Sequence, residues 1–272
     1  MRRVREYGHP CHELMEEIGR GGMGVVYLAR DAQLERHVAV KVLNVTDRDL
    51  LAEARILARL EHPGIVPVHD AGALPDGRIY YAMKLVQGTR LDRFSETKPP
   101  LPELLRTFCR VCEPVAFAHS QGVFHRDLKP ANIMVGKFGE VLVLDWGLAL
   151  DGMTGGTPEF MAPEQARGDR VNARSDVYAL GKTLAFLLGS GAPKTLVSII
   201  SKATSADAEV RYAGALELAD DVARFLDGVP VLAHKETIWE RAQRFASRNK
   251  VWIALMVTYV VVRAVLFFWL GR

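Results

Sequence analysis

Cysteine is scarce in this chain: Cys11, Cys109 and Cys112 are the three among 272 residues. That excludes a disulfide-built scaffold. It also leaves no second pair to complete a zinc site around the Cys109–Cys112 spacing. Both thiols fall in a helical apolar pattern over 104–119 and read better as buried core groups than as metal ligands. Charge of one sign is lacking too. Thirty-five Lys and Arg against 32 Asp and Glu leave a net +3. No basic run resembles a nucleic-acid arm, so no nucleic-acid partner is expected. There is no internal repeat and no low-complexity tract. No apolar stretch stands behind Met1-Arg2-Arg3, so no secretory leader is expected. Long hydrophobic runs are absent everywhere except the C-terminus.

What is present is concentrated in one segment, His125-Arg126-Asp127-Leu128-Lys129-Pro130-Ala131-Asn132, followed downstream by Asp145-Trp146-Gly147. Phosphoryl transfer asks for a carboxylate to hold an attacking hydroxyl and a cation near the transferred phosphate. It also asks for an amide and a second carboxylate to hold magnesium. Asp127, Lys129, Asn132 and Asp145 supply those groups in that order. Upstream, Gly19-Arg20-Gly21-Gly22-Met23-Gly24 reads as a glycine-rich turn whose backbone can approach phosphates closely. A strand-like run, Val25-Val26-Tyr27-Leu28, follows it, where a dinucleotide fold would place a helix. Val38-Ala39-Val40-Lys41 puts a lysine on a β-branched strand. Glu53 lies in a helical apolar pattern and is the natural ion-pair partner of Lys41. Ala162-Pro163-Glu164 and Ser175-Asp176-Val177-Tyr178-Ala179-Leu180-Gly181 complete the series.

Over roughly residues 12–228 these motifs, in this order, resemble the bacterial Hanks-type (eukaryotic-like) Ser/Thr protein kinases. The resemblance implies an α+β, bilobal protein-kinase-like fold. Residues 1–11 would be a leader and 12–88 an N-lobe of five strands and one helix. Residues 89–230 would be a mainly helical, shortened C-lobe. Strands are expected over 12–19, 25–30, 37–43, 65–73 and 79–86, with a helix over 49–60. In the second lobe, helices are expected over 101–121, 172–188, 195–204 and 215–226, and a short strand over 141–144.

The resemblance also assigns roles. ATP would sit between the lobes, with the backbone of Gly19, Gly21 and Gly24 near its phosphates. Val26 and Ala39 would cover the adenine and Met134 would lie beneath it. Met83 would be the gatekeeper, and the backbone of Lys84 and Val86 would make the hinge hydrogen bonds. Lys41 would hold the α- and β-phosphates and Glu53 would orient it. Asp127 would be the catalytic base, and Lys129 would stabilise the transferred phosphoryl group. Asn132 and Asp145 would hold two Mg²⁺ ions, for which Mn²⁺ could substitute. Thr157 matches the threonine that bonds the base and the lysine, and Glu164 would pair with Arg211. Trp146 stands where the family usually has phenylalanine. Arg126 would meet a phosphate on the activation segment, for which Thr154 is the candidate, against the plainer reading of a solvated loop threonine. From Asp176 to Arg211 the chain is shorter than the family usually has, and the helix that commonly docks protein substrates is missing. The expected activity is transfer of the ATP γ-phosphate to protein Ser/Thr hydroxyls, with autophosphorylation. The alternatives are a pseudokinase that binds ATP without turnover and a small-molecule kinase; the 162–164 segment with Thr157 argues against the latter.

The exceptional hydrophobic run is 251–270, twenty residues with Arg263 as its single charge. At about 1.5 Å per residue such a helix spans ~30 Å, the thickness of a bilayer core. Arg241, Arg244, Arg248 and Lys250 precede it within a basic linker, 231–250, and only Arg272 follows. These features predict a single-pass helix in the cytoplasmic (inner) membrane, with the kinase lobes facing the reducing, ATP-containing cytoplasm and no folded domain beyond the span. Trp252 and Trp269 stand near its two ends, where interfacial aromatics belong. The competing reading is a C-terminal helix buried in the kinase unit. Protein substrates bearing Ser or Thr are the expected partners, and a homodimer is compatible with the sequence.

Overall fold

The computed structural model describes residues 12–21, 24–44, 58–146, 156–234 and 249–270. Runs of β-branched and aromatic residues, interrupted by turn formers, build the first lobe. β1 (His12–Gly21), β2 (Gly24–Asp31), β3 (Arg36–Leu43), β4 (Val68–Ala73) and β5 (Ile79–Lys84) form one antiparallel sheet in the order β1-β2-β3-β5-β4. Asp31 closes the β2–β3 turn by accepting the N–H groups of Gln33 and Leu34, each at 3.1 Å. The β4–β5 turn is set by Asp76, which accepts the Arg78 N–H at 3.0 Å, and by Gly77 at φ 85°. Successive strand residues face opposite sides of the sheet. Val38, Val40 and Val42 therefore pack with Ala29, Tyr80 and Ala82 on one face. Ala39 and Lys41 turn to the other, toward the second lobe.

The second lobe begins with β6 (Thr89–Arg90), which joins β7 (Ile133–Val135) and β8 (Val141–Val143) in a small antiparallel sheet. Its helices are α1 (Leu91–Glu96), α2 (Leu101–Ser120), α3 (Pro163–Ala166), α4 (Ala173–Leu188), α5 (Lys194–Ala203) and α6 (Ala215–Leu226). Asn172 and Ser175 start α4 with a reciprocal capping box. The helix then runs through the lobe's core with Val177, Leu180 and Leu184 fully buried. Phe108, Val111 and Val115 of α2 and Val222 of α6 belong to the same core. The segment before β4 ties the lobes together: Ile65 bridges Val143 and the Gly64 carbonyl accepts the Val143 N–H at 2.8 Å.

Several expectations change in detail. The strand expected over 65–73 starts at Val68, because Ile65 is engaged by β8 instead. The strand expected over 79–86 ends at Lys84, where the chain crosses between lobes. β6 and α1 have no counterpart among the sequence expectations. The helix expected over 49–60 lies outside the described residues as far as 57. α4 is joined to α5 through residues 189–193 alone, a 3-10 turn at Gly189–Gly191 included. Gly181 lets these two helices close on each other: a Cβ there would lie 2.7 Å from Cβ of Ala203. Cys112 is fully buried and burial pushes its thiol well up. Burial, with Glu113 and Asp220 nearby, raises Cys109 to about 11. These are core thiols, and no cluster of metal-binding side chains exists among the described residues.

At the C-terminus α7 (Lys250–Leu270) is a helix of 21 residues. Its described side chains are all exposed, Trp252 at 74% and Trp269 at 79%, so it is not a helix buried in the kinase unit. Among the described residues no helix is long and apolar enough to cross a membrane. The transmembrane expectation thus has no support from the described structure.

An ion pair staples the second lobe. The Arg211 side chain, with no exposed surface, donates to both Glu164 oxygens at 2.7 and 2.9 Å. It also donates to the carbonyls of Ser205 and Arg174 at 2.8 and 3.0 Å. Ser175 Oγ donates to Glu164 at 2.8 Å. Burial alone would raise the Glu164 carboxyl, but the Arg211 and Ser175 hydrogen bonds outweigh it and pull it to about 2, against an ordinary 4.5. A carboxyl lowered on folding contributes stability fully above the unfolded value and loses it as pH falls toward the folded one. The stability difference between the wild type and Glu164→Gln, measured by urea unfolding, should therefore shrink by about 3 kcal/mol between pH 4.5 and 2. Glu164→Gln should be less stable by about 3 kcal/mol at pH 7, because it leaves the Arg211 guanidinium buried without its counter-charge, and should lack this acid-dependent loss.

Candidate active site

The lobes enclose a cleft of about 730 Å³, its open mouth included. The alternation of β2 and β3 brings Val26, Ala39 and Lys41 to its roof. Val26 pairs with Lys41 across the strands, and Ala39 pairs with Met83 of β5. Met134 of β7 and Leu144 line it from the second lobe, and Lys84, Leu85 and Val86 run along its back. The Lys84 N–H donates to the Pro67 carbonyl at 3.1 Å, which fixes the start of that crossing. Sequence reasoning missed Ile18, Val66, Leu85 and Leu144 as lining residues. They carry no chemical signature and reach the cleft only through strand alternation and chain crossing.

Gly19 lines the cleft. Gly24 is required by the sheet, since a Cβ there would lie 2.2 Å from the Val42 carbonyl oxygen. Gly21 pairs with Gly24 at the end of the hairpin and has nothing within 4 Å of a Cβ position.

Lys41, buried to 4% exposure, contacts the Asp145 carboxylate. Burial works to lower its ammonium, but Tyr81 and Asp145 outweigh it and raise the group, which stays charged. Glu53, the partner expected for it, lies outside the described residues, as do Gly147 and Thr154.

The loop between α2 and β7 is held from below by one carboxylate. Asp176, 1% exposed, accepts the backbone N–H groups of His125 at 2.7 Å and Arg126 at 2.9 Å. His119 Nε2 lies 2.8 Å from the same carboxylate. Burial would raise Asp176, yet the hydrogen bond and charge of His119, with His125 and the Arg126 N–H, bring it below its ordinary value. Arg126 can thereby hold a left-handed φ of 68°, uncommon for a side chain of its size. Gln165 Nε2 clamps its carbonyl at 2.6 Å.

Above this support the polar groups converge. Asp127 accepts the Thr157 N–H at 2.9 Å and the Thr157 hydroxyl at 3.0 Å. Lys129 Nζ donates to the Asp127 carboxylate at 2.7 Å and to Thr157 Oγ1 at 2.6 Å. Asn132 Nδ2 donates to the Asp127 carbonyl at 2.9 Å and to its carboxylate at 3.2 Å. Those bonds use the amide nitrogen, so Asn132 Oδ1 is the atom it has to offer a cation. With an Asp145 oxygen it forms a hard-oxygen pair on the cleft wall. Two protein oxygens suit a divalent ion that completes its shell with phosphate and water, as Mg²⁺ does.

The family model described as "Protein kinase domain" matches residues 12–215, and the chain belongs to the protein kinase family. It is 32% identical to Serine/threonine-protein kinase PknD of Chlamydia felis, over 80% of this chain and 31% of the relative. Identity is 35% with DNA damage-responsive serine/threonine-protein kinase RqkA of Deinococcus radiodurans, over 93% of this chain and 39% of the relative. It is also 35% with Serine/threonine-protein kinase PknB of Mycobacterium tuberculosis, over 82% and 44%. The chain thus spans less than half the length of each. The solved structure titled "PpkA-294 apo form" shares the fold, with a TM-score of 0.67 at 24% identity, over 81% of this chain and 98% of that one.

Thr157→Val keeps the shape and the backbone N–H but removes the hydroxyl that bridges Asp127 and Lys129. Hydrogen bonds to charged groups are worth about 1.5–3 kcal/mol, so kcat for phosphotransfer should fall about 10–100-fold. Nucleotide affinity measured by calorimetry should stay unchanged.

Proposed function

We propose that the chain is an active Ser/Thr protein kinase that transfers the ATP γ-phosphate to protein Ser/Thr hydroxyls, its own included. The convergence of Lys129, Thr157 and Asn132 on the Asp127 carboxylate, beside the cleft that Asp145 and Lys41 line, carries this reading. Protein kinases as a class use ATP and a divalent metal ion, and the apolar roof and floor of the cleft suit an adenine. Asn132 and Asp145 would hold Mg²⁺, which when bound neutralises phosphate charge. Lys41, buried and charged, would hold the α- and β-phosphates.

Asp127 orients the substrate hydroxyl and takes its proton as the oxygen–γ-phosphorus bond forms and the bond to the β-phosphate oxygen breaks, releasing ADP. Its carboxylate is fixed in place by Thr157 and Lys129, so no reorganisation is needed at the moment of transfer. Lys129 lies within reach of both the base and the bridging hydroxyl, where a transferring phosphoryl group would gain charge stabilisation. The short α4–α5 connection favours a second reading, a pseudokinase that holds ATP without turnover. Turnover with Mg²⁺ decides between them.

The membrane reading belongs here as well. We propose single-pass anchoring in the cytoplasmic membrane through 251–270, without a requirement for a homodimer. Its support is the twenty-residue apolar run with one charge and the basic residues before it.

The full chain incubated with labelled ATP and Mg²⁺ should phosphorylate itself and a generic protein substrate on Ser or Thr. Asp127→Asn should slow this about 10²–10⁴-fold with nucleotide binding retained, the range removal of a general base typically costs. Wild-type turnover in that variant, or none in the wild type, would refute the assignment. Full-length protein should remain with the membrane after a carbonate wash, and recovery in the soluble fraction would refute the anchor.

A further inference from the structure

A second buried carboxylate, Asp221, sits midway along α6 and is 1% exposed. The Tyr212 hydroxyl donates to one of its oxygens at 2.8 Å, beside the Ala233 N–H at 2.9 Å. The Leu232 N–H donates to the other at 2.7 Å. Leu232 and Ala233 open the basic linker, beyond the residues that the family model matches. A helix stop brings them back to Asp221. The Gly228 and Val229 N–H groups donate to the Phe225 and Arg224 carbonyls at 3.1 and 3.0 Å, with Gly228 at a left-handed φ of 65°. This pair of bonds turns the chain off the helix end. Val231 is then buried in the core of the lobe, and Ala233 packs against the same core. His234 Nδ1 lies 2.9 Å from Ser198 Oγ of α5. Residues 229–234 thus form a strap laid on the lobe, with Asp221 as its polar anchor.

Tyr212 connects this anchor to the activation segment. It follows Arg211, whose guanidinium holds Glu164 a few residues past Thr157. Tyr212 is itself buried, with Lys202 Nζ 4.1 Å over its ring. A buried phenol needs an acceptor, and Asp221 supplies it. We propose that 229–234 is a regulatory strap: docked, its two N–H groups fix Asp221, Asp221 fixes Tyr212, and Tyr212 keeps Arg211 seated on Glu164; lifted, it loosens that clamp and slows phosphotransfer. Binding or tension applied to the basic residues beyond His234 reaches the lobe through this strap. The activity readout of the inference rests on the kinase reading, and its structural readout does not.

The test uses the full chain in two altered forms. Asp221→Asn keeps the side-chain shape. Each Asp221 oxygen faces an N–H donor, so the amide has to set its own NH₂ against one of them. The second form carries the α-hydroxy acid of leucine at position 232, an ester that lacks one N–H and keeps every side chain. It carries the test if the asparagine variant fails to fold. Hydrogen exchange is followed over 229–234 and 157–167, and kcat is measured with Mg²⁺, ATP and a generic protein substrate. Exchange should quicken over both segments in both forms. The kcat should fall about 2–30-fold, the range that substitutions along a coupled network produce, with nucleotide affinity held within about twofold. Faster exchange confined to 229–234, or an unchanged kcat, overturns the proposal, because the strap would then be packing alone. Wild-type exchange over 229–234 also overturns it, since Asp221 would not be the anchor. In a Glu164→Gln background the ester should cost no further activity, the clamp being already open; an undiminished further loss would refute the route through Arg211. A wild type without phosphotransfer removes the kinase reading, while the exchange data still decide whether strap and clamp are coupled.

Discussion

A buried carboxylate bears the catalytic loop. Asp176 sits buried at the start of the central helix and accepts two consecutive backbone N–H groups from the loop above it. Consecutive N–H groups point to one acceptor only if the backbone bends sharply, and the left-handed φ of Arg126 is that bend. Asp127, the next residue, is thereby aimed away from the core and toward the cleft. Isolated, a carboxylate this deep would be expensive to ionise. Here the two N–H donors and His119 supply the charge-assisted bonds that keep it anionic. Rigidity is handed from the hydrophobic core to the reactive carboxylate through two hydrogen bonds.

The cleft follows from the way two kinds of structure meet. The first lobe contributes a sheet whose period of two sends Lys41 inward between two valines that point to the opposite face. The second contributes loop and strand ends hung on helices. The segment holding Gly64 and Ile65 runs between them and pairs with β8, so the strand that leads to Asp145 is registered against the first lobe as well as the second. Lys41 and Asp145 meet across that junction although 104 residues separate them.

The second lobe achieves its core with a short connection between α4 and α5, and the Glu164–Arg211 pair joins α3 to the turn before α6. A fully hydrogen-bonded guanidinium stitches four chain segments. Phe186 and Val197 remain 46% exposed beside this connection.

The sequence alone determined the class of fold and most of the reactive groups. Asp127, Lys129, Asn132 and Asp145 carry a chemical signature in their residue types and spacing. The helices α2, α4, α5 and α6 announce themselves through caps, prolines and apolar periodicity. These signals are local, and local chemistry is what a linear chain displays. Tertiary structure decided what depends on distance. It assigned Gly24 to the β2–β3 pairing and Gly19 to the cleft wall. It brought Ile18, Val66 and Leu144, residues with no signature, to the cleft wall, and assigned Asp176 and His119 to the support of the catalytic loop. It also turned the unusual Trp146 from an apolar substitute into a hydrogen-bond donor to the Val143 carbonyl, because whether an indole N–H finds a carbonyl depends on where the chain folds back, and no spacing in the sequence encodes that.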